Sequence, residues 1–277
     1  MSTVPDAAHL PASRTEPRPF LEIACDAAED VALAFEHGAD RVELCAALEV
    51  GGVTPGPGLL LEARGRTALE LIVLARPRRG DFDYDASTFR ALVRDVEFAR
   101  DHGADGVAVG VLTADRALDV ARTRELVRAA GPLTVTFHRA FDQIPDPRRA
   151  LAQLSDLGVR RVLTSAGGAR AVERARELTA LVEAAGPDLQ IVAAGGVRAA
   201  HVQELLATTP LRAFHASASR LEATGPAAVG LAPSLMPAEH ELRRVDLREV
   251  AALRAALRGA PGGSPGGSPG AALDGAP

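Results

Sequence analysis

Four polar residues set in otherwise apolar, β-rich runs carry the first chemical signal: Glu22 in FLEIACD, Glu43 in RVELCA, His138 in LTVTFHRAFD and His215 in AFHASAS. A carboxylate inside a strand is costly unless it finds a partner. Arg76, at the end of LELIVLARP, and Arg139 are the candidate cations. If these groups converge, they form a polar pocket. Glu43 or His138 would move a proton there, and Arg76 and Arg139 would neutralise an anion. Asp142, in HRAFD, joins Glu43 and His138 as a catalytic candidate if the protein is an enzyme. The same Glu and Arg residues also suit a buried ion-pair layer that only fixes the strands.

The two cysteines are the second signal. Cys25 and Cys45 end neighbouring strand candidates. Thiolates suit Cu(I) and Zn, and a free Cys equally suits a small buried hydrophobe. Strand alternation constrains the pair: Glu43 and Cys45 share parity, whereas Glu22 and Cys25 do not. If both Glu side chains point inward, Cys45 does too and Cys25 points away. A bulge at the end of the first strand would be needed to bring the sulfurs together. No CxxC is present, and two cysteines make no disulfide framework, which fits a reducing compartment.

A third signal is the Gly pair in GGV at 195–197, followed by HASAS. Gly195 and Gly196 bare backbone N–H groups, and Ser217 lies beside them in the next strand. Together they suit an anion, as does Ser165 in RVLTSAGG. The loop RPRRGDFDY adds arginines that Asp81 can orient.

Composition removes several classes. All 31 basic residues are Arg, so Schiff-base and pyridoxal-phosphate chemistry lack their amine and a P-loop lacks its lysine. A net charge of −5, no Trp and one Tyr argue against nucleic acid as a partner. No apolar run approaches the roughly 20 residues of a membrane span, and residues 1–19 carry no secretory signal.

Eight strand-like runs positioned between mostly helical segments must hold these residues. That alternation implies a parallel sheet with crossover helices. FEHGADRVEL (35–44) and FARDHGADGVAV (98–109) repeat one αβ joint, with LSDLGVRRVL (154–163) a weaker copy. The absence of GxGxxG after the first strand disfavours a doubly wound sheet. The expectation is a single α/β domain, a (β/α)8 TIM-type barrel over 20–258. A disordered leader (1–19) and a disordered Gly/Pro/Ser-rich tail (259–277) flank it. Long second and eighth connections mark the functional face.

LEIACD, HGADRVELCAALEVGGVTPGPGLL, RPRRGDFDY, TFHRAFD, RVLTSAGG and FHASAS, in this order, resemble the copper homeostasis protein CutC family. The resemblance runs from about Phe20 to Arg258. Ala166 stands where the pattern leads one to expect Gly. The resemblance implies a barrel, a cytoplasmic location, a homodimer or larger assembly, and copper handling with Cys25 and Cys45 as Cu(I) ligands. The alternative is a barrel enzyme of the lyase or isomerase class acting on a small anionic or phosphorylated substrate. Barrel closure sets the last expectation: Glu22, Glu43 and His215 share one wall, His138 faces them, and Arg76 pairs with Glu43.

Overall fold

The computed structural model describes residues 18–223 and 241–259. Eight strands hydrogen-bond in sequential order and close into a parallel barrel. They are β1 (Phe20–Cys25), β2 (Arg41–Leu44), β3 (Glu70–Leu74), β4 (Gly106–Val109), β5 (Thr134–Phe137), β6 (Arg161–Thr164), β7 (Gln190–Ala193) and β8 (Ala213–Ala216). A helix follows each of them: α1 (Ala28–Glu36), α2 (Pro57–Arg66), α3 (Ala86–Asp101), α4 (Val120–Ala130), α5 (Pro147–Asp156), α6 (Ala175–Ala185), α7 (Ala199–Thr208) and α8 (Leu247–Arg258). The expected barrel is thus the observed one. The expected disordered leader and tail lie outside the described residues, apart from their innermost positions.

The repeated joints have a common physics. His37 and His102 close α1 and α3, and each ring Nδ1 bonds the carbonyl four residues back, Leu33 O at 2.9 Å and Phe98 O at 2.8 Å. Gly38 and Gly103 follow with φ of +101° and +88°. This left-handed turn suits glycine and aims the chain back into the sheet.

Alternation sorts the strand side chains into two layers. Leu21, Ile23 and Cys25 of β1, Val42 and Leu44 of β2, and Leu71 and Val73 of β3 join the large apolar core with helix residues such as Val31, Leu60 and Leu92. The opposite set fills the lumen. Cys45, Ile72, Leu74 and Ala108 pack together on one side, and Leu163, Val192, Ala194 and Ala213 on the other.

The long eighth connection carries an antiparallel pair, β9 (Ser219–Ala223) and β10 (Glu241–Val245). It is tied to α1 where the Val245 N–H donates to Asp30 at 3.2 Å. The second connection holds a short 3-10 turn, Leu48–Val50, and the Gly51–Gly52 pair before α2.

Candidate functional site

Barrel closure brings the first and last strands together, and with them the first buried charges. Glu22 on β1 stands in register between Arg41 on β2 and His215 on β8. Its carboxylate accepts from Arg41 Nε and from His215 Nδ1, the latter at 2.6 Å. Arg41 also reaches Glu70 at 3.4 Å, and Glu70 accepts from Arg161 at 2.7 Å. The Phe20 ring faces the Arg41 guanidinium, with Cζ 4.5 Å from the centroid. A lateral row of alternating charge therefore crosses the base of the lumen. Burial pushes the Glu22 carboxyl up, but Arg41 and His215 together pull it well below the usual carboxylate range.

One rung higher the balance reverses. Glu43 is buried, and His215 Nε2 lies 3.9 Å from its carboxylate. Burial raises its pKa, His215 only partly offsets this and the charge of Glu22 adds to the rise, so Glu43 is pushed up to about 7. Burial also opposes a charged His215, yet the charge of Glu43 and the bond and charge of Glu22 outweigh it and hold His215 above its ordinary value. Glu22, Glu43 and His215 offer ligand atoms within 4.8 Å of one another.

Above this triad the barrel mouth opens into a cavity of about 270 Å³. Its polar lining includes Glu43, Cys45, Arg76, His138, Arg139, Arg198, His215 and Ser217, with Gly195 and Gly196 on the far rim. Leu48, Leu74 and Phe82 give it apolar walls. His138 sits just past β5 and caps the short 3-10 turn Arg139–Gln143. Burial, reinforced by the charge of Arg76, lowers its pKa to about 3, so the ring is neutral near pH 7.

Two expected pairings are corrected here. Arg76 does not pair with Glu43. Its guanidinium donates to the carbonyls of Gly52 at 2.9 Å, Val50 at 3.3 Å, Gly51 at 3.4 Å and Gly80 at 3.1 Å. The Gly-rich second connection turns its carbonyls toward the end of β3 and takes up the cation expected to pair with Glu43. The cation for Glu22 is Arg41, not Arg76 or Arg139. Arg41 opens β2 with the same inward parity as Glu43, and that parity was the signal that could have found it.

Asp142 and Ser165 lie behind the cavity wall rather than in its lining. Asp142 Oδ1 accepts from Thr164 Oγ1 (2.6 Å), the Ser165 N–H (2.9 Å) and the Gly167 N–H (3.1 Å). Its Oδ2 accepts from Arg139 Nε at 2.8 Å. With both oxygens engaged, Asp142 organises the loop after β6 and orients Arg139, which also donates to Ser165 Oγ at 3.0 Å. The Arg139 guanidinium passes so close to Gly195 that a Cβ there would lie 3.1 Å from Cζ. Asp81 orients Arg78, at 2.6 Å, rather than Arg76.

The cysteines obey their parity. Both are fully buried, but Cys25 belongs to the core between sheet and helices, whereas Cys45 lines the mouth. The Cys25 carbonyl joins them: it accepts from the Cys45 N–H at 2.9 Å and from the Cys45 thiol at 3.5 Å. Burial pushes both thiols well above the ordinary value, and for Cys45 the charge of Glu43 adds to it. Both therefore rest as neutral thiols.

Similarity to known proteins agrees with the motif order. The sequence profile of the CutC family matches residues 20–220. A CutC protein of Chromobacterium violaceum is 46% identical over 199 residues, 72% of this chain and 81% of the relative. One from Caulobacter vibrioides is 43% identical over 200 residues, with the same coverage. The crystal structure of a CutC protein from Streptococcus agalactiae, whose proposed role is copper homeostasis, superposes with a TM-score of 0.69. It is 30% identical, and the match covers 72% of this chain and 98% of that one. The N-(5'-phosphoribosyl)anthranilate isomerase of Pyrococcus furiosus, 14% identical with a TM-score of 0.54 over 87% of this chain and 98% of its own, shares the barrel alone. The chain belongs to the CutC family.

Proposed function

We propose that this protein serves copper handling, the role proposed for its Streptococcus agalactiae relative, and that Cu(I) engages it at the barrel mouth through Cys45. The observation that carries this reading is the placement of Cys45 as a soft ligand inside a cavity otherwise lined by harder groups. Cys25 joins as a second sulfur only if the end of β1 turns its side chain out of the outer core. Metal binding would also have to displace the thiol protons, so uptake should release protons and strengthen with pH. A competition titration with a chromogenic Cu(I) chelator tests this. Cys45→Ser is expected to weaken uptake far more than Cys25→Ser. Equal losses would indicate that both sulfurs rearrange into one chelate, and unchanged uptake in the double variant would refute the reading. The proposal includes a cytoplasmic location and a homodimer or larger assembly, both resting on family resemblance. No helix among the described residues is long and apolar enough to cross a membrane. Sedimentation tests the assembly.

A second reading is favoured by a separate observation, the approach of Arg139 to Gly195 beside Gly196 and Ser217. That rim joins a fixed guanidinium to glycine backbone and suits a small anionic ligand. At about 270 Å³ the cavity falls below the roughly 300–1,000 Å³ of sites for drug-sized molecules, so the ligand is metabolite-sized. If turnover occurs, Glu43 is the group placed to exchange a proton, in a lyase or isomerase without lysine. Thermal shift with Cu(I), inorganic phosphate and small dicarboxylates separates the two readings, because only a ligand that binds the folded state raises Tm.

A further inference from the structure

The imidazole of His138 has one nitrogen that holds the fold and one that does not. The Ala140 N–H donates to Nδ1 at 3.1 Å, at the first turn of Arg139–Gln143. A nitrogen that accepts carries no proton, so in this ring the proton is on Nε2. The ring is also held in place. A Cβ on Gly110 would lie 2.3 Å from its Cε1, so only glycine makes room for it there. Phe82 packs on it with ring centroids 5.0 Å apart. Nε2–H is then a buried donor with no partner among the described residues, on a cavity-lining residue that is 5% exposed. Such a donor costs free energy until something accepts from it.

We infer that His138 donates its Nε2–H to a carbonyl or carboxylate oxygen of a small anion bound in the mouth, whose charged end lies toward Arg139, Gly195 and Gly196. This deepens the small-anion reading and rests on it. A metal ion is the wrong match for His138. Coordination needs the Nε2 lone pair, which moves the proton to Nδ1 and sets it against the Ala140 N–H, donor facing donor. A neutral imidazole instead takes an oxygen acceptor and polarises it without itself giving up a charge.

Phosphoglycolate, which joins a carboxylate to a phosphate, is the probe, with inorganic phosphate as the control for the charged end. Calorimetry compares the wild type with His138→Gln and His138→Leu. Gln keeps an acceptor for Ala140 and an N–H for the ligand, and Leu keeps neither. The wild type is expected to bind phosphoglycolate about tenfold more tightly than phosphate. His138→Gln should retain most of that preference and His138→Leu should lose it. Imidazole ¹⁵N spectra of the wild type give the same test without a variant that must fold. Free protein should show the Nε2–H form, and its resonance should move with phosphoglycolate and not with phosphate. An Nδ1–H form in the free protein overturns the inference. So does phosphoglycolate binding that leaves the Nε2–H resonance unmoved and is equal in both variants, although the small-anion reading then survives. If neither probe binds the wild type, that reading falls and the inference falls with it.

Discussion

The base and the mouth of the lumen are built from the same residue types and do opposite things. At the base, Arg41, Glu22, His215, Glu70 and Arg161 neutralise one another in a continuous row. At the mouth, a few ångströms along the same strands, Glu43 makes no salt bridge to a guanidinium and His138 Nε2 has no partner among the described residues, and the Cys45 thiol, 3.5 Å from the Cys25 carbonyl, lines the cavity. The base balances its charges internally; Arg41 Nη2 has no acceptor among the described residues, but neither Arg41 nor Glu22 lines the cavity. The mouth leaves chemistry unspent, which is the condition for binding something. Register explains the split. Glu22 has charged partners on both flanking strands, whereas Glu43 pairs in register with Ala24 on one side and Ile72 on the other.

The largest effect should come from breaking the base. Arg41→Ala leaves the buried Glu22 carboxylate with His215 as its cation, and urea unfolding is expected to show a loss of about 3–5 kcal/mol. A loss under about 1 kcal/mol would mean that His215 alone suffices for Glu22 and that base and mouth differ less than their contacts suggest.

A pH series separates the two regions by sign. Glu43, raised from 4.5 to about 7, contributes stability that is fully present below about pH 4.5 and is lost as pH climbs through 7. Glu22 on β1, Arg41 on its own strand and His215 on β8 face it, and Cys45 lies beside it. Glu22, with its lowered pKa, contributes stability that is present above about pH 4.5 and is lost as pH falls below it. Glu43→Gln should therefore flatten the neutral limb, by at most roughly 3 kcal/mol, and leave the acid limb intact. A neutral limb of unchanged slope in Glu43→Gln would assign it to another group.

Arg76→Ala is expected to cost less, about 1–3 kcal/mol, because it frees neutral backbone carbonyls instead of orphaning a charge. Hydrogen exchange should quicken in the second connection around Gly51 and Gly52, and the titration of Glu43 should hold its position. A shift in that titration would restore the Arg76–Glu43 pair. The smallest effect is spectroscopic. With its pKa lowered from 6.5 to about 3, His138 should keep a neutral ¹⁵N signature through pH 5, while His215 titrates above its ordinary value. A His138 that protonates near pH 6.5 would indicate that water reaches the ring.

What the sequence determined alone is whatever depends on local order. Hydrophobic period and repeated Gly-ended joints specify eight strands and the helices between them, and eight such units imply closure. Period-two alternation assigns Cys45 to the lumen and Cys25 to the outer core. Closure then sets Glu22, Glu43 and His215 on one wall although 193 residues separate the first from the last. The choice of partner was decided only in three dimensions. A guanidinium reaches several residues' distance, so which acceptor it finds depends on where loops turn their carbonyls and which strands become neighbours. Arg76 met carbonyls of the second connection, Arg41 met Glu22 across a strand pair, and Asp142 was taken up by backbone and hydroxyl donors after β6. Whether Glu43 and His138 would be left for a ligand followed from those distant choices, because a buried polar group stays available only when no neighbour within reach has satisfied it.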